Sequence, residues 1–151
     1  MIIYRIARTE FCDTSGEGAK LYGGRWNLPG YPVLYGSASI ASALLERLTV
    51  DPELFASERY VLYSIMELNC SDKLIKRPAL SDLPEDWDAI PFKKSTQLFG
   101  TEIIRSGVVC FAVPSVVDKS SLNLILNPVA IEFTSIKWKV YPLELDKRII
   151  R

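Results

Sequence analysis

The sequence predicts an α+β domain with a largely antiparallel sheet. Three observations lead to this class: two helical segments, several short β-prone runs, and an order of elements without regular strand–helix alternation. The 151 residues are read as one domain spanning residues 1–151, because a chain of this length buries a sizeable core and no repeat or low-complexity tract divides it.

The first half of the chain is expected to contain three strands and one helix. Residues 1–7, 31–37 and 60–69 are the β-prone runs. Ser39 starts a helix with one apolar face, and the Asp51-Pro52 pair ends it.

The second half is expected to contain one further helix and four strands. Ser95 is placed to cap the helix, and Gly107 is placed to end it. Before the helix, residues 71–92 form a packed connection in which Ile90 is one of the anchors. The strands are expected at residues 108–113, 122–126, 131–133 and 136–141.

Composition and charge argue against several classes of protein. Lysine plus arginine and aspartate plus glutamate balance at 18 each, so direct nucleic-acid contact is not expected. No apolar run approaches the ~18 residues that a bilayer span needs. The amino-terminal stretch lacks the pattern of a signal peptide. We therefore expect a cytoplasmic protein without membrane contact, whose three irregularly spaced cysteines are reduced thiols.

The chain contains no histidine. This excludes Ser-His-Asp and Cys-His catalysis, and it removes the commonest zinc ligand. Any catalytic chemistry is therefore expected to use carboxylates, hydroxyls, arginine and amides, and no metal site is predicted.

A long stretch over residues 8–30 shows neither a helical nor a strand period, and loops of this length in compact domains are usually functional or disordered. It contains the segment Gly23–Asn27 (GGRWN), whose glycines permit a close approach of the backbone to a ligand. The planar donor fork of Arg25 suits phosphate or carboxylate. The segment therefore indicates a pocket for a flat anionic ligand, with a surface arginine lying over Trp26 as the alternative.

Five further side chains are candidates for chemistry, each with a structural alternative. Tyr35 is either a core tyrosine or a ring that stacks on a flat heterocycle while its hydroxyl holds a polar group of the ligand. Glu46 lies beside the apolar face of the first helix, where it either stabilises positive charge at an anomeric carbon or pairs with an arginine at the helix end. Ser115 follows a predicted strand, where side chains bind ligands or form turns. Asn123 and Asn127 flank residues 124–126, where each either caps a turn or donates to a ligand, and this spacing alone decides nothing.

An ordered set of motifs covers essentially the whole chain. The motifs are YRI at 4–6, GGRWN at 23–27, PG at 29–30, VLY at 33–35, ALLE at 43–46, DLP at 82–84 with Trp87, TQ at 96–97 with Gly100, VPS at 113–115, NP at 127–128 and DKR at 146–148. Taken together, these motifs resemble the RES domain, the toxin half of RES–Xre toxin–antitoxin modules. In one departure, the histidine that follows the Asn-Pro pair in many members is absent here.

The resemblance implies a site and a fold. The family takes its name from an arginine, a glutamate and a serine, which by motif fall on Arg25, Glu46 and Ser115 and are the implied catalytic residues. Arg25, Tyr35 and Asn127 are the implied substrate-binding residues. The implied fold is that of ADP-ribosyltransferases of the diphtheria-toxin type, a split, mostly antiparallel sheet with flanking helices.

The resemblance also implies an activity and a partner. The activity is degradation of NAD+ at the nicotinamide–ribose bond by hydrolysis or phosphorolysis, which inhibits bacterial growth; NAD+ is the substrate, and no prosthetic group is implied. The partner is an Xre-type helix-turn-helix antitoxin that covers the active site. Two alternatives remain open: transfer of ADP-ribose to a cellular protein, and a non-catalytic module that holds a ligand or partner.

Overall fold

In the computed structural model, which describes residues 1–56 and 58–151, seven strands form one sheet. In chain order the strands are β1 (Ile2–Arg8), β2 (Leu34–Ser37), β3 (Tyr63–Asn69), β4 (Ile75–Lys76), β5 (Cys110–Pro114), β6 (Leu122–Leu126) and β7 (Lys137–Pro142). Their spatial order is β4-β5-β6-β2-β1-β3-β7. Neighbouring strands are antiparallel except for the parallel pair β4 and β5, which confirms the predicted class.

Three helices accompany the sheet in the described residues: α1 (Glu17–Tyr22), α2 (Ile40–Val50) and α3 (Lys94–Arg105). The predicted start of α2 is confirmed, because the Ser39 side chain accepts a hydrogen bond from the Ser42 backbone N–H at 3.1 Å. Gly107, with φ of +89°, follows α3 as expected. Among the described residues, no helix has the length and apolar composition that crossing a bilayer requires.

Several local predictions were wrong. Ser95 does not cap α3, which begins one residue earlier; its hydroxyl instead donates to Asp86 at 2.6 Å. The expected strand at 131–133 is a 3-10 helix, Ile131–Ser135. Ile90 is exposed and anchors nothing. The short helix α1 lies inside the stretch that was predicted to be irregular. The sequence did not reveal this helix because six residues that include a glycine are too few to show a helical period.

The two faces of the sheet carry different cores. On one face, alternate residues of the strands form a continuous apolar core, closed over by the 3-10 helix at 131–135. On the other face, α3 and the loop at 23–31 cover one apolar cluster over β5 and β6, while α2 covers a second over β1 and β3. Strand β2 runs between these two clusters, and its Tyr35 and Ser37 lie on their side of the sheet. A polar seam therefore separates the clusters.

Candidate functional site

The segment Gly23–Asn27 is a tightly built turn. Gly23 has a φ of +71°, and a Cβ on Gly24 would lie 2.6 Å from the Tyr35 hydroxyl oxygen, so glycine is required at both positions. Asn27 is fully buried, and its amide donates to the backbone carbonyls of Ala19 at 2.9 Å and Tyr31 at 3.0 Å. The turn is thus fixed by its own backbone and by one buried amide.

Helix α3 fixes the same turn from behind. Trp26 is buried and meets the rings of Phe99 and Phe111 edge to face, at centroid distances of 6.0 and 6.4 Å. Thr101 accepts a hydrogen bond from the Leu28 backbone N–H at 2.9 Å. A side chain on Gly100 would overlap the carbonyl of Trp26, so the helix packs directly on the turn backbone. Trp26 is therefore a packing residue.

Tyr35 ties the turn to the sheet. Its hydroxyl donates to Asn27 Oδ1 at 2.6 Å and accepts the Trp26 backbone N–H at 3.0 Å. Burial raises the pKa of this phenol, so it stays protonated and keeps both bonds. The hydroxyl expected to hold a ligand is instead engaged in supporting the segment that carries Arg25, while stacking by the ring stays a prediction.

We expect Tyr35→Phe to loosen this turn. The change leaves Asn27 Oδ1 and the Trp26 N–H without their partner, which costs about 1–3 kcal/mol for a buried polar group. A urea unfolding curve measures the loss, and Tyr22→Phe is the matched control because Tyr22 is 83% exposed. Equal stability of both variants and the wild type would contradict this role.

Arg25 is half-buried at the centre of the turn. Its Nη1 group donates to the backbone carbonyls of Trp87 at 3.0 Å and Ala89 at 2.7 Å, and its guanidinium lies 5.8 Å from the ring centre of Phe92. Burial lowers the pKa of Arg25, and the negative charge of Glu46 opposes that shift. The guanidinium and this carboxylate therefore interact electrostatically. Within the described residues, Nε and Nη2 make no hydrogen bond. The hydrogen bonds of Nη1 thus fix the orientation of the guanidinium, while Nε and Nη2 remain available to a ligand.

Glu46 projects from α2 and is held by two neutral donors. Its Oε1 atom accepts from Ser115 Oγ at 2.6 Å and from Asn123 Nδ2 at 2.7 Å. Ser115 is 1% exposed, and its oxygen also accepts the Asp118 backbone N–H at 3.1 Å, which directs the hydroxyl proton toward Glu46. Among the described residues, Oε2 makes no hydrogen bond. One carboxylate oxygen is therefore fixed, and the other is available.

The structure brings four of the five site residues that the resemblance implies into one region. Arg25 is close enough to Tyr35 and Glu46 to interact with both electrostatically, and Ser115 donates a hydrogen bond to Glu46. Asn127 lies apart. It is buried, its amide donates to the carbonyls of Ile104 at 3.2 Å and Val108 at 3.3 Å, and its oxygen accepts the Val129 N–H at 3.2 Å. These bonds join β6 to the end of α3, and a substrate contact by Asn127 stays a prediction that this geometry does not favour.

Asn123 was a candidate from the sequence that the resemblance did not include among the site residues, and the structure places it beside Glu46. A signal was present, because in β6 the leucines at 122, 124 and 126 occupy one face of the strand and Asn123 interrupts the other. Its pairing with Ser37 across β2 and its approach to Glu46 depend on register and helix position. Neither can be read from spacing along the chain.

A cavity of about 350 Å³ lies elsewhere, between β4 and the end of α3. Its charged lining residues are Lys73, Lys76 and Glu132, all exposed. They lack the buried donors that hold Glu46, and solvated lysines beside a cavity are ordinary surface chemistry. We therefore place the candidate site at Arg25 and Glu46.

Comparisons with known proteins identify the family. The RES domain matches residues 2–146. "Toxin Res" of Photorhabdus laumondii is 32% identical over 158 aligned positions that cover 100% of this chain and 98% of the relative. The "Prs ADP-ribosylating toxin" of a Sphingobium species is 34% identical, covering 96% and 92%. A chain in the crystal structure of the M. tuberculosis MbcT–MbcA toxin–antitoxin complex superposes with a TM-score of 0.76 at 18% identity, covering 94% of this chain and 83% of that one, and confirms the ADP-ribosyltransferase-like fold. The chain belongs to the RES domain family.

Proposed function

We propose that the protein is the toxin of a toxin–antitoxin module and that it cleaves the nicotinamide–ribose bond of NAD+. The observation that carries the proposal is a carboxylate with one oxygen fixed by two donors and the other available, within charge range of a half-buried arginine. Three relatives carry the names of toxins, and these names support the same proposal.

The residues fit the electronic demands of this bond cleavage. The C–N bond breaks with its electron pair leaving on the nicotinamide nitrogen, which becomes neutral, so the leaving group needs no acid. Positive charge develops at the anomeric carbon and is opposed by the Glu46 carboxylate. Water or phosphate then supplies the electron pair that forms the new bond at this carbon. Arg25 would hold the pyrophosphate through Nε and Nη2, which suits a planar donor fork.

Release of nicotinamide from NAD+ by the purified protein, freed of any antitoxin, tests the proposal directly. We expect turnover when water and inorganic phosphate are the acceptors present, and comparison of buffers with and without phosphate identifies which of them reacts. No release by the folded wild type, under conditions where a known NAD+ glycohydrolase is active, would refute the proposal.

We expect Arg25→Ala to raise the KM for NAD+ by about 10–100-fold, since a hydrogen bond to a charged group contributes about 1.5–3 kcal/mol. The same change also releases the carbonyls of Trp87 and Ala89. Lys119→Ala is the matched control, because it removes the 2.6 Å ion pair with Asp88 on the other side of this segment and leaves in place the Asp88 charge that acts on Arg25. An equal rise in KM in both variants would assign the effect to the segment, and an unchanged KM and rate in Arg25→Ala would contradict phosphate binding.

A second candidate is transfer of ADP-ribose to a cellular protein, and the name of the Sphingobium relative, an ADP-ribosylating toxin, favours it. It uses the same bond cleavage, with a protein side chain as acceptor. Incubation of the protein with labelled NAD+ and a cell extract separates the two functions. Label on a macromolecule, with slow turnover of NAD+ alone, supports transfer; free nicotinamide without labelled protein supports degradation.

We also propose an antitoxin partner with an Xre-type helix-turn-helix domain that covers the site. Support comes from the structural neighbour, whose crystal structure is of a toxin–antitoxin complex. An adjacent gene for a small helix-turn-helix protein, and loss of nicotinamide release when that protein is added, would be the expected findings.

A further inference from the structure

We propose that Asn123 is a positioning residue for the reaction: with Ser37, it determines which oxygen of Glu46 faces the substrate. This inference rests on the proposed function for its kinetic consequences, but its structural claim concerns only the carboxylate of Glu46. Asn123 lies on β6, directly opposite Ser37 of β2 and Val113 of β5. An inner strand of the sheet is a rigid platform for such a residue.

The orientation of the Asn123 amide is fixed by its two neighbours. An ionised carboxylate only accepts hydrogen bonds, so the Asn123 NH2 group must face Glu46 Oε1, 2.7 Å away. The amide oxygen then faces Ser37, whose buried hydroxyl donates to it at 3.2 Å. A flipped amide would place oxygen against oxygen at Glu46 and would leave Ser37 without its acceptor.

Two donors are needed to fix the carboxylate, because the terminal torsion of glutamate is broad and roughly two-fold. Ser115 alone would leave the group free to turn about its single hydrogen bond. Asn123 approaches the same oxygen from β6, while Ser115 approaches from the end of β5. Together they fix the position of Oε1, and this also fixes the direction in which Oε2 points.

Arg25, on the opposite turn, is a charged group that interacts with Glu46 across the site. The two direct partners, Ser115 and Asn123, are neutral. On the side that faces the sheet, Glu46 is therefore held by hydrogen bonds from uncharged groups. A second carboxylate at position 123 would be the most disruptive change of similar shape, because two carboxylates at this distance do not both ionise readily.

The experiment compares Asn123→Asp with the wild type, and Asn69→Asp is the control because it makes the same change at an exposed strand end. We expect Asn123→Asp to lower kcat at neutral pH by about 10–100-fold with little change in KM, since misplacement of a reacting group by about 1 Å costs up to 10²-fold. The acid limb of its pH–kcat profile should move upward by about one pH unit or more, because like charges raise carboxyl pKa values. Asn69→Asp should behave as the wild type.

A second measurement does not need activity. Carbon NMR of protein labelled at the glutamate carboxyl carbon follows the signal of Glu46, which is assigned by its absence in Glu46→Gln. We expect the chemical shift of this signal at neutral pH to change in Asn123→Asp, which alters its direct partner, and to stay unchanged in Asn69→Asp. An unchanged Glu46 signal, or a changed signal with unchanged kcat and KM, would overturn the inference. If the wild type releases no nicotinamide, the proposed function fails and the NMR signal alone judges the contact.

Discussion

Glu46→Gln should reduce the rate of nicotinamide release by about 10²–10³-fold, with little change in KM. Removing one preorganised electrostatic group from a transition state typically costs about 2.7–4 kcal/mol. The substitution keeps the shape of the side chain, and its carbonyl oxygen still accepts the hydrogen bonds from Ser115 and Asn123. The loss should therefore appear in kcat. Steady-state kinetics of nicotinamide release measures it, and loss of growth inhibition on expression provides an independent readout.

Glu102→Gln is the matched control for this result, because Glu102 lies exposed on α3. Both variants should unfold at the wild-type temperature in a circular dichroism melt. Full growth inhibition by folded Glu46→Gln would exclude both NAD+ cleavage and ADP-ribosyl transfer at this site. It would favour the non-catalytic binding module instead.

Gly100→Ala should destabilise the fold more than any other single methyl addition in the site region. The new Cβ would overlap the backbone of Trp26, so either α3 or the turn must move. Overpacking of this kind costs about 1–3 kcal/mol and occasionally more. For a chain of this length each kcal/mol lowers Tm by roughly 2–4 °C, so we expect a fall of about 5–10 °C. Nicotinamide release should fall with it, because the turn carries Arg25.

Gly18→Ala is the control for this substitution. Gly18 lies in α1 with nothing within 4 Å of its added Cβ, and its backbone is not in the left-handed region. The same change there should leave Tm unchanged or raise it slightly, since alanine restricts the unfolded chain. A Tm for Gly100→Ala equal to that of Gly18→Ala would contradict the packing described for α3.

Much of the fold could be predicted because several elements carry complete local signals. Helix α2 has a cap at Ser39, an apolar face and a proline stop, and β6 matches its predicted bounds at 122–126. Other elements depend on contacts distant in sequence. The two-residue strand β4 exists only because it lies beside β5. The segment at 131–135 is apolar enough for a strand but bends into a 3-10 helix that buries Phe133.

The residues of the site could be predicted from the sequence, but the hydrogen bonds that join them could not. The motifs selected Arg25, Glu46 and Ser115, and the structure joins the last two by a 2.6 Å hydrogen bond. Their distance depends on how α2 crosses the sheet, which no local pattern encodes. The hydroxyl of Tyr35 is engaged by Asn27, a pairing that follows from how the turn folds back onto β2.

The position of β6 in the sheet bears on when the candidate site is completed during synthesis of the chain. Strand β2 lies between β1, made first, and β6, which is the sixth of the seven strands to be translated. Until residues 122–126 leave the ribosome, β2 has an open edge and Glu46 lacks the donor on Asn123. A truncated chain that ends before β6 would carry Arg25 and Glu46 without a completed site. The topology thus delays assembly of the site until six of the seven strands have been made.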